Sequence, residues 1–275
     1  MRIWHQSFTV LEDLPAYAER IRHHVGKVVG PGTEVVLHGV APGTYPANYP
    51  GDDLSYSFLF GMHAHQWVTN ALAAEREGYD AYAMCSLVDP MLREIRTLVD
   101  IPVVATGETC VHLASMVGSR FGILAFIEGL IPRYWDQINA CGLGARCAGV
   151  RGVGFRFQDT LRAFDAPGPL IDRFRESARL LIQAGADVII PGEVPLNVLL
   201  ASEGVSRIDD VPLIDGLGAT VKMAETMASL RATTGLSPSR RGWHNAAPRR
   251  ERVEQVLDLY LADRWTRKGG MDGRG

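Results

Sequence analysis

The sequence predicts an α/β protein built on parallel sheets, and three observations carry that reading. Short apolar runs alternate with stretches of helical period along most of the chain, as βαβ units require. A composition of 47% hydrophobic and 21% charged residues suits a well-filled core and excludes disorder over most of the length. A block beginning at Gly78 is echoed by one beginning at Gly185, which points to two related halves. For 275 residues, a typical ~150 per domain gives about 1.8 domains, in line with such a pair.

The elements follow in order. Arg2 to Trp4 is a short opening strand, and Leu14, Tyr17, Ile21 and Val25 then recur on one helical face. Glu34 to Val40 is the second strand. Ala41 to Asp53, with three prolines and two glycines, is a loop. Ser55 to Arg76 reads as a helix stopped by Gly78. Ala81 to Cys85 is a buried strand, Pro90 opens a helix reaching Val99, and Ile101 to Ala105 is a strand ending in the polar cluster Thr106 to Thr109. Helix Val111–Val117, strand Arg120–Phe126, helix Leu130–Ala140 and strand Ala148–Val153 come next. Ile171, Phe174, Ala178 and Leu181 mark a helix ended by Gly185. Val188–Pro191 and Pro212–Ile214 are the last buried strands, and Val221, Ala224 and Ala228 define a closing helix. Beyond Gly235 a basic linker leads to the stripe Val253, Val256, Leu257, Tyr260 and Leu261, which packs on the body or on a second subunit. Lys268 to Gly275 reads as disordered.

Several function classes fall away. With 28 basic and 31 acidic residues the net charge is −3, so no global positive field recruits nucleic acid or an anionic membrane. The N-terminus turns polar too early for a signal peptide, and no run approaches the ~18 apolar residues of a membrane span. A cytoplasmic protein is expected. Its four cysteines (Cys85, Cys110, Cys141, Cys147) are then reduced thiols, too few and scattered for a disulfide scaffold. No His, Cys and carboxylate cluster has zinc spacing, and His63 and His65 stand two apart on a helix. Gly152-Val153-Gly154 lacks the spacing of a dinucleotide loop, so neither metal nor cofactor is expected.

The echo locates a candidate site. Each copy runs helix end, Gly-x-Asp, buried strand, polar strand end, helix, then Asp-x-Pro and a further strand. Two such halves face each other across a cleft, and ligands of parallel sheets lie beyond the carboxyl ends of strands. Six residues beyond Asp80 and Asp187 the paired strand-end positions are Ser86 and Glu193.

In order and spacing, Gly78-Tyr-Asp-Ala, Asp89-Pro90, Pro102-Val-Val with Gly107-Glu108, Gly185-Ala-Asp-Val-Ile, and Pro212-Leu-Ile-Asp215-Gly216 followed by Val221-Lys222-Met-Ala-Glu225 resemble the aspartate/glutamate/hydantoin racemase superfamily, most closely its hydantoin/allantoin branch. The resemblance covers about residues 1–235. It implies two similar Rossmann-like (flavodoxin-like) domains about a pseudo-twofold axis, residues 1–110 plus 217–235 and residues 111–216, with the active site between them and 236–275 as linker, C-terminal helix and tail. It also implies a homo-oligomer, and a small carboxylate or cyclic amide as substrate. In the racemases a cysteine at the end of each equivalent strand moves a proton on opposite faces of a carbon acid. Here those positions hold Ser86 and Glu193.

The candidates each have two readings. Glu193 lies between apolar Val188–Gly192 and Val194–Leu196, a setting that raises a carboxyl pKa and suits an acid/base; otherwise it is a carboxylate held by a helix dipole. A serine hydroxyl cannot take a carbon-bound proton unaided, so Ser86 either hydrogen-bonds the substrate or caps the helix near Pro90. Cys85, one residue earlier, points to the other side of the strand and into sheet packing unless a bulge turns it to the cleft. His5, Gln6 and Ser7 end the first strand as substrate contacts or plain loop. Thr106, Glu108 and Thr109 are helix caps or ligand contacts. Backbone amides at helix starts near Ser86 and Val194 would hold an oxyanion. A Cys110/His112 nucleophile is disfavoured, because the pair does not face one way. The expected chemistry is cofactor-independent proton transfer next to a carbonyl. A decarboxylase or lyase, a hydrolase, or a non-catalytic binding protein on the same scaffold are the alternatives.

Overall fold

The computed structural model describes residues 1–46 and 49–261. Strands β1 (Arg2–Gln6), β2 (Glu34–His38), β3 (Ala81–Met84) and β4 (Val103–Ala105) form one parallel sheet in the order β2-β1-β3-β4. Strands β5 (Phe121–Ala125), β6 (Cys147–Gly152) and β7 (Val188–Pro191) form a second, in the order β6-β5-β7. Every residue of β3, β4, β5 and β7 is buried, as expected of parallel strands covered on both faces.

The covering helices sort the side chains by the two-residue period of the strands. Trp4, Tyr82, Met84, Val103 and Ala105 face α3 (Ser57–Arg76) and α4 (Leu92–Leu98). Ile3, Ala81, Ala83, Cys85 and Val104 face α1 (Pro15–Val28) and α10 (Gly216–Thr234), meeting Tyr17, Ile21, Leu217 and Val221. Around the second sheet, α8 (Gly168–Gln183) packs on β5, β6 and β7, α5 (Thr106–Val117) on β5 and β7, and α6 (Ile131–Ala140) on β6. Helices α7 (Phe157–Ala163) and α9 (Val194–Ser202) lie against each other.

The repeated Gly-x-Asp does the same work in each half. Gly78 and Gly185, at φ 75° and 95°, turn the chain out of α3 and α8 in the left-handed conformation. Two residues later, Asp80 accepts from the Arg2 amide at 2.7 Å, and Asp187 accepts from the Ser119 and Arg120 amides at 2.8 Å. Each aspartate therefore pins the start of a neighbouring strand, which sets the register of β3 on β1 and of β7 on β5.

Some expectations are corrected. Thr106 to Thr109 are the first turn of α5, not a strand end, because Asp89 accepts the Gly107 and Glu108 amides at 2.8 and 2.7 Å and so starts the helix early. The helix expected at Pro90 begins at Leu92, after Asp89 and Met91 adopt φ 40° and 52°. The loop after Gly39 contains α2 (Pro50–Leu54), and α3 starts at Ser57. Pro212 to Ile214 is not a full strand. Val211–Pro212 instead pairs antiparallel with Arg207–Ile208 across a turn with Asp209 at φ 54°, leaving Leu213 to bridge Ile189. Helix α11 (Arg250–Leu261) sets Val253 and Leu257 with Leu72 and Tyr79 around a surface cleft on the body, and Arg250 bonds Glu75 at 2.8 Å. Residues 268–275, and the side chain of Leu261, lie outside the described residues.

Gly192 closes β7 against β5. Its amide donates to the Leu124 carbonyl at 2.7 Å, and a Cβ there would stand 2.6 Å from that same oxygen. Backbone cannot give way as a side-chain tip can, so Gly192→Ala is expected to cost about 1–3 kcal/mol. An unchanged urea midpoint would contradict this close approach.

Candidate functional site

A cavity of about 60 Å³ lies beyond the carboxyl ends of β1, β3, β5 and β7. Ser7, Phe8 and Thr9 enter it after β1, Cys85, Ser86 and Leu87 after β3, Phe126 and Ile127 after β5, and Gly192 and Glu193 after β7. Tyr49, Pro50 and Leu54 from the α2 region, Tyr17 of α1, Tyr134 of α6 and Phe157 of α7 complete the wall. Tyr49 stacks on Phe157 at 6.0 Å, and Phe126 lies 6.5 Å from the same ring, so the cavity is largely aromatic and aliphatic.

Glu193 is the acidic side chain in this wall. One carboxyl oxygen accepts from the Phe126 amide at 2.9 Å. The other accepts from the Ile127 amide at 3.2 Å and the Tyr134 hydroxyl at 2.9 Å. The two amides are available because β5 ends at Ala125 and its last donors have no further strand to pair with. Burial pushes the Glu193 carboxyl up from its ordinary 4.5 to about 7, with the three donors pulling against it. Both protonation states are therefore accessible near neutral pH.

On the first-sheet side stand Ser86 and Cys85. Ser86 is half-buried in the cavity wall, and its hydroxyl makes no hydrogen bond among the described residues. It caps no helix: α4 starts six residues later with no side-chain cap. The oxyanion-holding helix start expected beside Ser86 is thus replaced by a turn, closed by the Asp89 amide on the Ser86 carbonyl at 3.3 Å. Cys85 packs with Ala83, Tyr17 and Val194, yet touches the cavity, and its thiol leans on the Ala83 carbonyl at 3.6 Å. Burial pushes that thiol well above its ordinary range, which keeps it protonated.

The remaining candidates divide. Ser7 and Val194 join Glu193, Ser86 and Cys85 in the cavity wall; Ser7 accepts the Thr9 amide at 3.0 Å, and Val194 opens α9. His5, Gln6, Thr106, Glu108 and Thr109 are not in that wall. His5 is buried on β1, where desolvation lowers its pKa to about 4. Gln6 ties Trp4, Ser7, Gly39 and Asn70 together. Thr106 donates to the Met84 carbonyl at 2.9 Å and accepts from Thr220, and Thr109 is buried on α5. Burial pushes the Glu108 carboxyl upward, but the Arg96 guanidinium beside it outweighs burial and holds it below its ordinary range. Cys110 is wholly buried, away from the cavity.

Sequence reasoning missed the partners of Glu193. Tyr134 belongs to the helical stripe of α6 and reads as plain core. The Phe126 and Ile127 donors are backbone groups, which carry no side-chain signal. Asp89 was visible as Asp-Pro, but its role was not: it starts α5 and also accepts from Gln137. Burial pushes its carboxyl up to about 8. Among the described residues no cluster of His, Cys, Asp and Glu could hold a metal ion, and no helix is long and apolar enough to cross a membrane.

Comparison with known proteins agrees with this architecture. The Asp/Glu/Hydantoin racemase family model matches residues 15–224. A hydantoin racemase of a Pseudomonas species is 26% identical over 219 residues, covering 80% of this chain and 84% of the relative. The solved allantoin racemase from Klebsiella pneumoniae superposes with a TM-score of 0.74 at 27% identity, covering 91% of this chain and 94% of its own. The allantoin racemase of Pseudomonas fluorescens gives 0.72 at 25% identity, covering 90% and 97%. The chain belongs to the Asp/Glu/hydantoin racemase family of racemase-type enzymes.

The raised Glu193 pKa has a signed consequence. Between about 4.5 and 7 the folded chain holds a proton that the unfolded chain has released, so stability from this group is greatest at low pH and falls as pH rises through that window. Asp89 acts in the same direction up to about pH 8. A ¹³C titration of the glutamate carboxyls should show one midpoint near 7 that vanishes in Glu193→Gln. If every glutamate titrates below pH 5.5, the carboxyl is not buried as described.

Proposed function

We propose that this member of the Asp/Glu/hydantoin racemase family moves a proton at a carbon next to a carbonyl, in a small carboxylate or cyclic amide with an apolar substituent, and that Glu193 is its acid/base. The observation that carries this reading is the Glu193 carboxyl itself. It sits in the cavity wall at a strand-end position that the family resemblance gives to a cysteine, with burial holding it near pH 7. The carboxylate takes the proton from carbon. The C–H electron pair moves onto the carbonyl oxygen to give an enolate, and the protonated Glu193 returns the proton to carbon. No electrons leave the substrate, so the cycle is redox-neutral and calls for no cofactor.

The first-sheet side supplies no matching base. Ser86 is a hydrogen-bonding group that does not titrate, and the Cys85 thiol is held protonated by burial. Proton exchange on the Glu193 face is therefore expected to outrun inversion. The aromatic walls suit a ring or aryl substituent on the reacting carbon. A second reading, full racemisation with the Cys85 thiol as the opposing proton donor, draws on the place of Cys85 in the cavity wall.

Deuterium uptake from D₂O separates these readings in a screen of hydantoins, amino acids, malonates and maleate. Glu193→Gln should lower uptake about 10²–10⁴-fold while leaving ligand binding near that of the parent. Uptake retained in Glu193→Gln overturns the assignment. With a single-enantiomer hydantoin, uptake faster than loss of optical rotation supports one-sided exchange. Equal rates, with inversion lost in Cys85→Ala, support the second reading.

A further inference from the structure

Of the three tyrosines in the cavity wall, Tyr17 and Tyr134 come from opposite halves of the molecule, and their hydroxyls are used differently. That of Tyr134 is committed to Glu193 at 2.9 Å. That of Tyr17 is buried and makes no hydrogen bond within the protein among the described residues. Several other buried polar side-chain atoms share that condition, including those of His5, Tyr45 and Trp67, but Tyr17 alone among them lines the cavity. A buried hydroxyl without a partner destabilises a fold, and native interiors seldom keep one without a use.

The ring of Tyr17 is fixed. It meets Phe157 edge-on at 6.3 Å and Phe164 at 6.3 Å, and it packs with Ile21 and Cys85 under β3. The hydroxyl therefore cannot swing to a protein partner without moving the helix face that carries it. Burial also pushes the phenol well above its ordinary pKa, so it stands as a neutral O–H donor. It comes from the first-sheet side, as Ser86 does, whereas Glu193 comes from the second.

We propose that the Tyr17 hydroxyl donates a hydrogen bond to the carbonyl or carboxylate oxygen beside the reacting carbon, making it the group that anchors the substrate and holds the enolate oxygen. In the resting protein the hydroxyl lacks a partner because that partner is the substrate. The inference rests on the carbon-acid reading of the cavity but not on Glu193 being the base. A donor placed before the reaction favours the charge that develops on oxygen without reorganising.

Tyr17→Phe removes the hydroxyl and keeps the ring. The probes are 5-benzylhydantoin and phenylacetate, one cyclic amide and one carboxylate, measured by calorimetry, with D₂O uptake into the hydantoin followed in parallel. The variant should melt at or above the parent temperature without ligand, bind at least one probe about tenfold more weakly, and exchange at least tenfold more slowly with an unchanged pH midpoint. A lower melting temperature overturns the proposal, since it means that the hydroxyl has a structural partner. So does binding of both probes within twofold of the parent, or failure of the parent to bind either. If Tyr17→Phe weakens binding while Glu193→Gln leaves exchange intact, the anchor stands and the base assignment falls.

Discussion

A carboxyl group taken out of water between two strand ends is the constraint around which this site is arranged. Desolvating a carboxylate costs several kcal/mol unless hydrogen bonds replace its hydration. Here the Phe126 and Ile127 amides and the Tyr134 hydroxyl replace part of it. They do not replace all of it: the rise from 4.5 to about 7 corresponds to roughly 3 kcal/mol against the charged form. The same three bonds join β5, β7 and α6, so the group that can move a proton also closes the second half of the cavity. Gly192 makes this possible by letting β7 approach the Leu124 carbonyl.

The two halves are built alike and equipped differently. Asp80 and Asp187 pin equivalent strands, and the chain leaves each strand end at an equivalent place. One end then presents a titratable carboxyl and the other a serine hydroxyl, with a protonated thiol beside it. Asp89 accounts for the local shape on the serine side. Its carboxyl accepts two amides of α5, which holds Asp89 itself at φ 40° and delays α4, leaving Ser86 on a turn in the cavity wall. In the proposed function the substrate is thus offered one acid/base and, on the other side, donors.

The fold was largely legible in the sequence because hydrophobic period and Gly-x-Asp punctuation act locally. The strand-end count from Asp80 and Asp187 reached Ser86 and Glu193, and both stand in the cavity wall. What was not legible depends on long-range placement. Nothing in the sequence around Tyr17 separates a core ring from a cavity ring, since its helix face is apolar either way. Backbone donors such as Phe126 N leave no trace in composition. Glu108 looked like a strand-end carboxylate until Asp89 drew its amide into a helix and Arg96 took its side chain. Thr106 was likewise diverted to the Met84 carbonyl.

The proposed function sets Glu193 against the reacting carbon. A crystal structure of the protein with 5-benzylhydantoin tests it most directly. The ring carbon that carries the benzyl group is expected within about 3.5 Å of a Glu193 carboxyl oxygen, on the face turned to the second sheet. A ligand whose reacting carbon faces Cys85 instead, or one bound outside this cavity with Glu193 still closed on its three donors, would contradict it.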